Sequence, residues 1–197
     1  MKTILKTGYW KIISLFYRDA ASAIHLRDIA RKSKLNENSA TRFLKQLEKE
    51  EILQAKKDGN LKKYTIQKNK KTFLIFTMLN MERYQRLPSI TKNAIEYFMK
   101  TLQEKPIITV LFGSTAKGNY TNESDIDLLL ITNRKIDTEE AENYAEAQTA
   151  MKINCVQIKY SEFLQEIKMK EEKLIQSAIK TGYPLTNQIT YYEEILR

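Results

Sequence analysis

A chain of 197 residues suffices for one large domain or two small ones, and 42% hydrophobic with 29% charged residues is the make-up of a globular protein, too apolar for a disordered one. One cysteine, Cys155, excludes an internal disulfide, and one cysteine with one histidine excludes a zinc site, so a reducing cytoplasm is the expected location. The net charge of +9 is uneven: residues 1–72 hold 18 Lys and Arg against 7 Asp and Glu, whereas residues 73–197 hold 15 against 17.

Such asymmetry predicts a first third that meets a polyanion, joined to a near-neutral remainder with another task; a lysine-rich, merely soluble surface is the plainer alternative. The longest apolar runs, at 73–79 and 127–132, are too short to cross a bilayer, so no membrane partner is expected. The first residues carry Lys2 and Lys6 without an unbroken apolar run, which predicts no signal peptide.

In chain order, residues 3–19 place Ile4, Leu5, Ile12, Ile13, Leu15 and Phe16 at helical spacing, with Trp10 among them. After a break at 20–23, residues 25–33 set Leu26, Ile29 and Ala30 against Arg27, Arg31 and Lys32, again a helix. A turn at 35–38 leads to a third helix at 39–53, where Ala40, Phe43, Leu44 and Leu47 share a face and Ser39, Thr41, Arg42 and Lys45 do not. Two short extended runs, 54–57 and 61–66, flank Asp58-Gly59-Asn60, a strong hairpin signal because such a turn needs positive φ. Tyr64 in this hairpin suits either stacking on a nucleic-acid base or packing back on the helices.

A basic linker at 68–71 precedes helices at 72–86 and 90–104, with Ser89 as the cap of the second. These helices either connect and fill the core or present a homodimer surface. From Pro106 the rhythm changes. Strands are predicted at 107–112, 126–132 and 153–160, and helices at 138–152, 161–181 and 188–197. Cys155, on the third strand, reads as packing rather than as a nucleophile.

Chemistry concentrates in Gly113-Ser114 and Asp125-Ile126-Asp127. Carboxylates at i and i+2 on a strand emerge on one face, and two adjacent like charges call for a cation, with oxygen-seeking Mg²⁺ the natural candidate. Gly-Ser at a strand-to-helix junction permits close backbone approach and offers unpaired N–H groups and a hydroxyl to phosphate oxygens. Metal and phosphate cradle together describe a nucleoside triphosphate site.

Two resemblances follow from these residues. The sequence Leu26-Arg27-Asp28-Ile29-Ala30, the helix at 39–53 and the basic hairpin at 56–64 resemble a winged helix-turn-helix. That implies binding of double-stranded DNA, with Ser39, Thr41, Arg42 and Lys45 toward base edges and Lys56, Lys57, Lys62 and Lys63 toward phosphates. Gly113-Ser114, ten residues, then Asp125-x-Asp127, with Ala116-x-Gly118 and Ser124 beside them, resembles the minimal nucleotidyltransferases of the DNA polymerase β superfamily. The resemblance implies catalytic and Mg²⁺-binding roles for Asp125 and Asp127, and NTP contacts, ATP foremost, from Gly113, Ser114 and Lys117. It also implies an antitoxin-like role beside a HEPN-type toxin, which is either modified by nucleotide transfer or simply covered, with possible control of the protein's own operon. A third carboxylate expected on the next strand is missing: 153–160 offers only Asn154, Gln157 and Lys159, and Glu162 could replace it only through shifted geometry. A regulator that senses nucleotide without transferring it is therefore the competing reading.

The expected architecture is α+β: a winged helix-turn-helix over 1–72, a helical linker over 73–89, and a nucleotidyltransferase domain with a small mixed sheet over 90–197.

Overall fold

The computed structural model describes residues 8–59, 61–121 and 124–197; residues 3–7 of the first predicted helix, Asn60 of the predicted turn and residues 122–123 of the ten-residue spacer lie outside them. The chain is α+β and divides into two compact units, one reaching to Phe76 and including Leu196 and Arg197, the other Thr77–Ile195. Among the described residues, no helix is long and apolar enough to cross a membrane.

In the first unit, α1 (Gly8–Arg18) buries Trp10, Ile12, Ile13 and Phe16. It is followed by β1 (Ile24–His25), α2 (Leu26–Ser33) and α3 (Glu37–Lys49). A hairpin of β2 (Leu53–Asp58) and β3 (Leu61–Ile66) completes a three-stranded antiparallel sheet in the order β1-β3-β2. The third helix starts two residues before the position predicted, because the Asn36 side chain accepts the Ser39 N–H at 2.8 Å and caps it. It also stops four residues sooner: Glu51 turns left-handed (φ 59°), and Ile52 N–H closes onto the Leu47 carbonyl, freeing Leu53 to enter a strand. His25, predicted to open a helix, instead lies in β1 opposite Lys63. Gly59 takes φ +59° at the hairpin tip, the conformation for which glycine is suited.

The second unit holds a four-stranded mixed sheet in the order β6-β5-β4-β7. Its strands are β4 (Ile108–Phe112), β5 (Ile126–Thr132), β6 (Ile153–Lys159) and β7 (Tyr183–Pro184). β4 runs antiparallel to both β5 and β7, and β5 runs parallel to β6. On one face, Leu128 and Leu130 pack with Ala94, Ile95 and Phe98 of α5 (Ser89–Thr101) and Ala141 and Ala145 of α7 (Glu139–Thr149). On the other lie α8 (Tyr160–Met169) and α9 (Lys173–Thr181), with α10 (Gln188–Ile195) against α8 through Phe163 and Tyr191, whose rings stack at 6.3 Å.

Three local expectations are corrected. The predicted single helix at 161–181 is two, because Lys170 turns left-handed and the buried Glu166 carboxylate accepts from Glu172 N–H (3.0 Å) and Gln176 Nε2 (2.6 Å), seeding α9 anew. Pro88, not Ser89, occupies the cap position of α5. β7 was not foreseen at all; two residues containing a proline give no alternating pattern, and they are tolerated because they pair only at the sheet edge.

Candidate functional site

β4 carries an apolar run to Phe112 and delivers Gly113 at the start of α6 (Gly113–Lys117), while β5 begins immediately after Asp125. Phe112 lies directly across the ladder from Asp127, so the Gly-Ser turn and the second carboxylate are brought together by strand register. Gly113 is required there twice over. Its φ is +71°, and a methyl group on it would overlap Asp127 Oδ2 and come within 2.9 Å of Cγ. The Asp127 carboxylate thus packs directly against the backbone of residue 113, a close approach that only glycine allows.

Asp125 is anchored from the same turn: Thr115, itself buried, donates its hydroxyl to the Asp125 carbonyl at 3.3 Å. Gly118 and Asn119 N–H groups both donate to the Ser114 carbonyl, at 3.0 and 3.2 Å, closing α6 after little more than one turn. Lys117, at its end, is exposed. The two carboxylates are half-buried, and burial pushes Asp127 above the ordinary aspartate range; the Asn154 amide works against this shift and the Asp125 charge adds to it.

Asn154 stands opposite Asp127 in the parallel β5–β6 register and donates Nδ2 to Asp125 Oδ2 at 2.9 Å. It therefore fills the place on the adjacent strand where a third carboxylate was sought. Glu162 does not: Lys159 pairs with Thr132, five residues along β5 from Asp127 and roughly 16 Å away at the usual strand rise. There Glu162 accepts the Lys159 N–H at 3.3 Å and caps α8. Among the described residues, no three or more His, Cys, Asp or Glu side chains converge as a metal cluster. The donor set that is present, two carboxylates beside a glycine turn, suits a single oxygen-liganded divalent cation.

Residues 92–189 match the family described as "Polymerase beta, Nucleotidyltransferase". The second unit carries a nucleotidyltransferase domain. No curated protein matches the chain. Among solved structures, a chain from a structure described as "Crystal structure of the toxin-antitoxin with AMP-PNP" is similar at 18% identity and a TM-score of 0.38, over 51% of this chain and 79% of that one.

Within the second unit, Arg83 is a participant that sequence reading did not identify. From α4 (Lys70–Gln85) its guanidinium donates to the Ala116 carbonyl at 2.9 Å and the Thr181 carbonyl at 3.2 Å, and it lies 4.2 Å from the Tyr183 ring centroid. It thereby ties the end of α6 to the end of α9. No motif announces such a role, since its partners are backbone carbonyls distant in sequence. Cys155 packs against the core as expected, its thiol pushed well up by burial and by Glu142 beside it.

In the first unit, Arg42 and Lys45 are exposed on α3, while Ser39 and Thr41 are half-buried and Ala40, Leu44 and Leu47 are buried. Phe43 is half-buried, meeting Tyr9 edge-on at 4.6 Å with the Arg42 guanidinium 5.2 Å from its ring centroid. The Thr41 hydroxyl donates back to the Glu37 carbonyl at 2.8 Å. Across the hairpin Lys56 faces Lys63 and Lys57 faces Lys62, two like-charge cross-strand pairs. Tyr64 is only 3% exposed, which decides its alternatives in favour of packing.

Proposed function

We propose that the nucleotidyltransferase domain binds a nucleoside triphosphate, ATP foremost, with Mg²⁺ at Asp125 and Asp127, and that the first unit binds double-stranded DNA as a winged helix-turn-helix. The protein would then be a nucleotide-binding DNA regulator. The observation that carries the nucleotide reading is the register that sets the Gly113-Ser114 turn directly against the Asp127 carboxylate, so that a turn rich in backbone donors and the paired carboxylates stand side by side. Asp125 and Asp127 would hold the cation, which when bound neutralises triphosphate charge. Gly113 and Ser114 offer N–H groups at the start of α6 that lack partners within the helix, and Lys117 adds a mobile positive charge for phosphate. Isothermal calorimetry tests this: ATP binding should require Mg²⁺ and vanish in the Asp125→Asn, Asp127→Asn double variant. Absence of binding at millimolar ATP in the wild type would refute it.

The DNA reading is supported by the exposed Arg42 and Lys45 on α3 and by the paired lysines of the hairpin. Like charges directly across a sheet are unfavourable to the free protein and favourable once a polyanion lies over them.

A second reading, transfer of a nucleoside monophosphate to a protein acceptor such as a HEPN-type toxin, is favoured by the presence of the entire Gly-Ser and Asp-x-Asp set. Labelled ATP incubated with cell lysate should then mark one acceptor. Asn154, in place of a third acid, ranks this reading below nucleotide binding.

A further inference from the structure

We infer that Asn154 makes this a one-cation site that holds nucleoside triphosphate as a ligand and does not consume it. The inference rests on the nucleotide reading above and specifies its outcome. A carboxylate only accepts hydrogen bonds, so the Asn154 amide group turned toward Asp125 Oδ2 is the NH₂, and one Asp125 oxygen is committed to it at 2.9 Å. The register places Asn154 level with Asp127, so the adjacent strand presents an N–H donor, a neutral group of positive edge, where a second divalent ion would need an anionic oxygen. The following same-face positions of β6 are Val156 and Ile158, aligned with Leu129 and Ile131, and they offer no oxygen ligand. Glu162 is at the far end of the strand, engaged in capping α8.

The consequence for chemistry is specific. In nucleotidyl transfer the acceptor hydroxyl oxygen bonds to the α-phosphorus, the bridging oxygen departs with pyrophosphate, and the hydroxyl proton must go to a base. Asp125 and Asp127 are engaged by the cation, no third carboxylate converges on them among the described residues, and Asn154 cannot serve, because an amide is not basic. Triphosphate bound through one cation is then retained intact, and its presence is the signal.

The test uses the full-length protein with Mn²⁺ and ATP. Titration followed by electron paramagnetic resonance should give one bound Mn²⁺ per chain at saturating ATP for the wild type, with no pyrophosphate release. Asn154→Asp should bind two and, with water as the acceptor, release AMP and pyrophosphate at a rate on the order of 100-fold above the protein-free background. Asn154→Ala should stay at one and remain silent, which separates a gained ligand from a merely freed Asp125. Two Mn²⁺ in the wild type, or a second one gained by Asn154→Ala, or Asn154→Asp remaining at one, would overturn the inference while leaving nucleotide binding intact. Wild-type protein that binds neither ATP nor Mn²⁺ would remove the nucleotide reading itself. If Asn154→Asp does not fold, the wild-type stoichiometry still decides.

Discussion

The carboxyl of Asp127 is held above its ordinary range by burial, with the Asn154 amide opposing and the Asp125 charge reinforcing the shift. A folded-state value above the unfolded one means that the folded chain binds the proton more tightly, so stability falls as pH rises through the interval between the two values. At neutral pH the ionised pair is a standing penalty on the ligand-free protein. Asp127→Asn should therefore raise the thermal midpoint of the ligand-free protein at pH 7, reduce its dependence on pH in the acidic range, and abolish Mg²⁺-dependent ATP binding. Scanning calorimetry with and without ATP measures all three, and a lowered midpoint in Asp127→Asn would contradict the account. Gly113→Ala is the complementary change: positive φ and overlap with Asp127 should destabilise the fold by about 1–3 kcal/mol in urea unfolding. At this scale the sequence was informative about residue types that act through short spacings, the Gly-Ser pair and Asp-x-Asp. It named Asn154 only as one polar residue of a strand lacking the expected acid, since its place beside the pair depends on strand register, and it was silent on Arg83, whose partners are backbone carbonyls remote in sequence.

Among the elements, α6 shows how a five-residue helix is held by groups outside it. Arg83 donates to the Ala116 carbonyl, so Arg83→Ala leaves two carbonyls without their charged donor and should destabilise the domain by about 2–4 kcal/mol in urea unfolding. Both bonds come from the one nitrogen Nη2, so Arg83→Lys should recover part of this while losing the planar guanidinium contact with the Tyr183 ring. The hairpin gives a prediction with opposite signs. Removing two of its four facing lysines, Lys62→Ala with Lys63→Ala, should leave the ligand-free protein as stable or slightly more so, by a few tenths of a kcal/mol. The same change should weaken all duplex DNA alike and reduce the salt dependence of binding by roughly one unit per lost phosphate contact. Arg42→Ala on α3 should instead weaken a specific operator by about 1–3 kcal/mol and leave random DNA nearly unaffected. Fluorescence anisotropy across a salt series distinguishes these. Helices and strands with strong periodicity were legible in the sequence, β5 to its exact bounds. Element ends were not, because they are decided by single groups, Asn36 capping α3 and Glu166 restarting the chain at α9, and periodicity does not register these.

For the molecule as a whole, charge asymmetry and the order of elements point to a division of labour between a basic first unit and a near-neutral second. The change from helical to strand rhythm after Pro106 was visible in the sequence. β1 and β7 were not, since two-residue strands gain their identity only from the partners they meet, Tyr64 and Lys63 for the one, Val110 and Leu111 for the other. The account's central claim is that the start of β5 and the Gly-Ser turn together bind a nucleoside triphosphate with Mg²⁺. Amide nuclear magnetic resonance spectra of the full-length protein, titrated with ATP in the presence of Mg²⁺, test it most directly. The account predicts that perturbations concentrate at Gly113, Ser114, Thr115, Asp125 and Asp127 and at the Asn154 side-chain amide, and disappear when Mg²⁺ is chelated. Unchanged spectra at those residues, or changes confined to the cavity of about 310 Å³ lined by Tyr84, Met99, Tyr183 and Leu185, would contradict it.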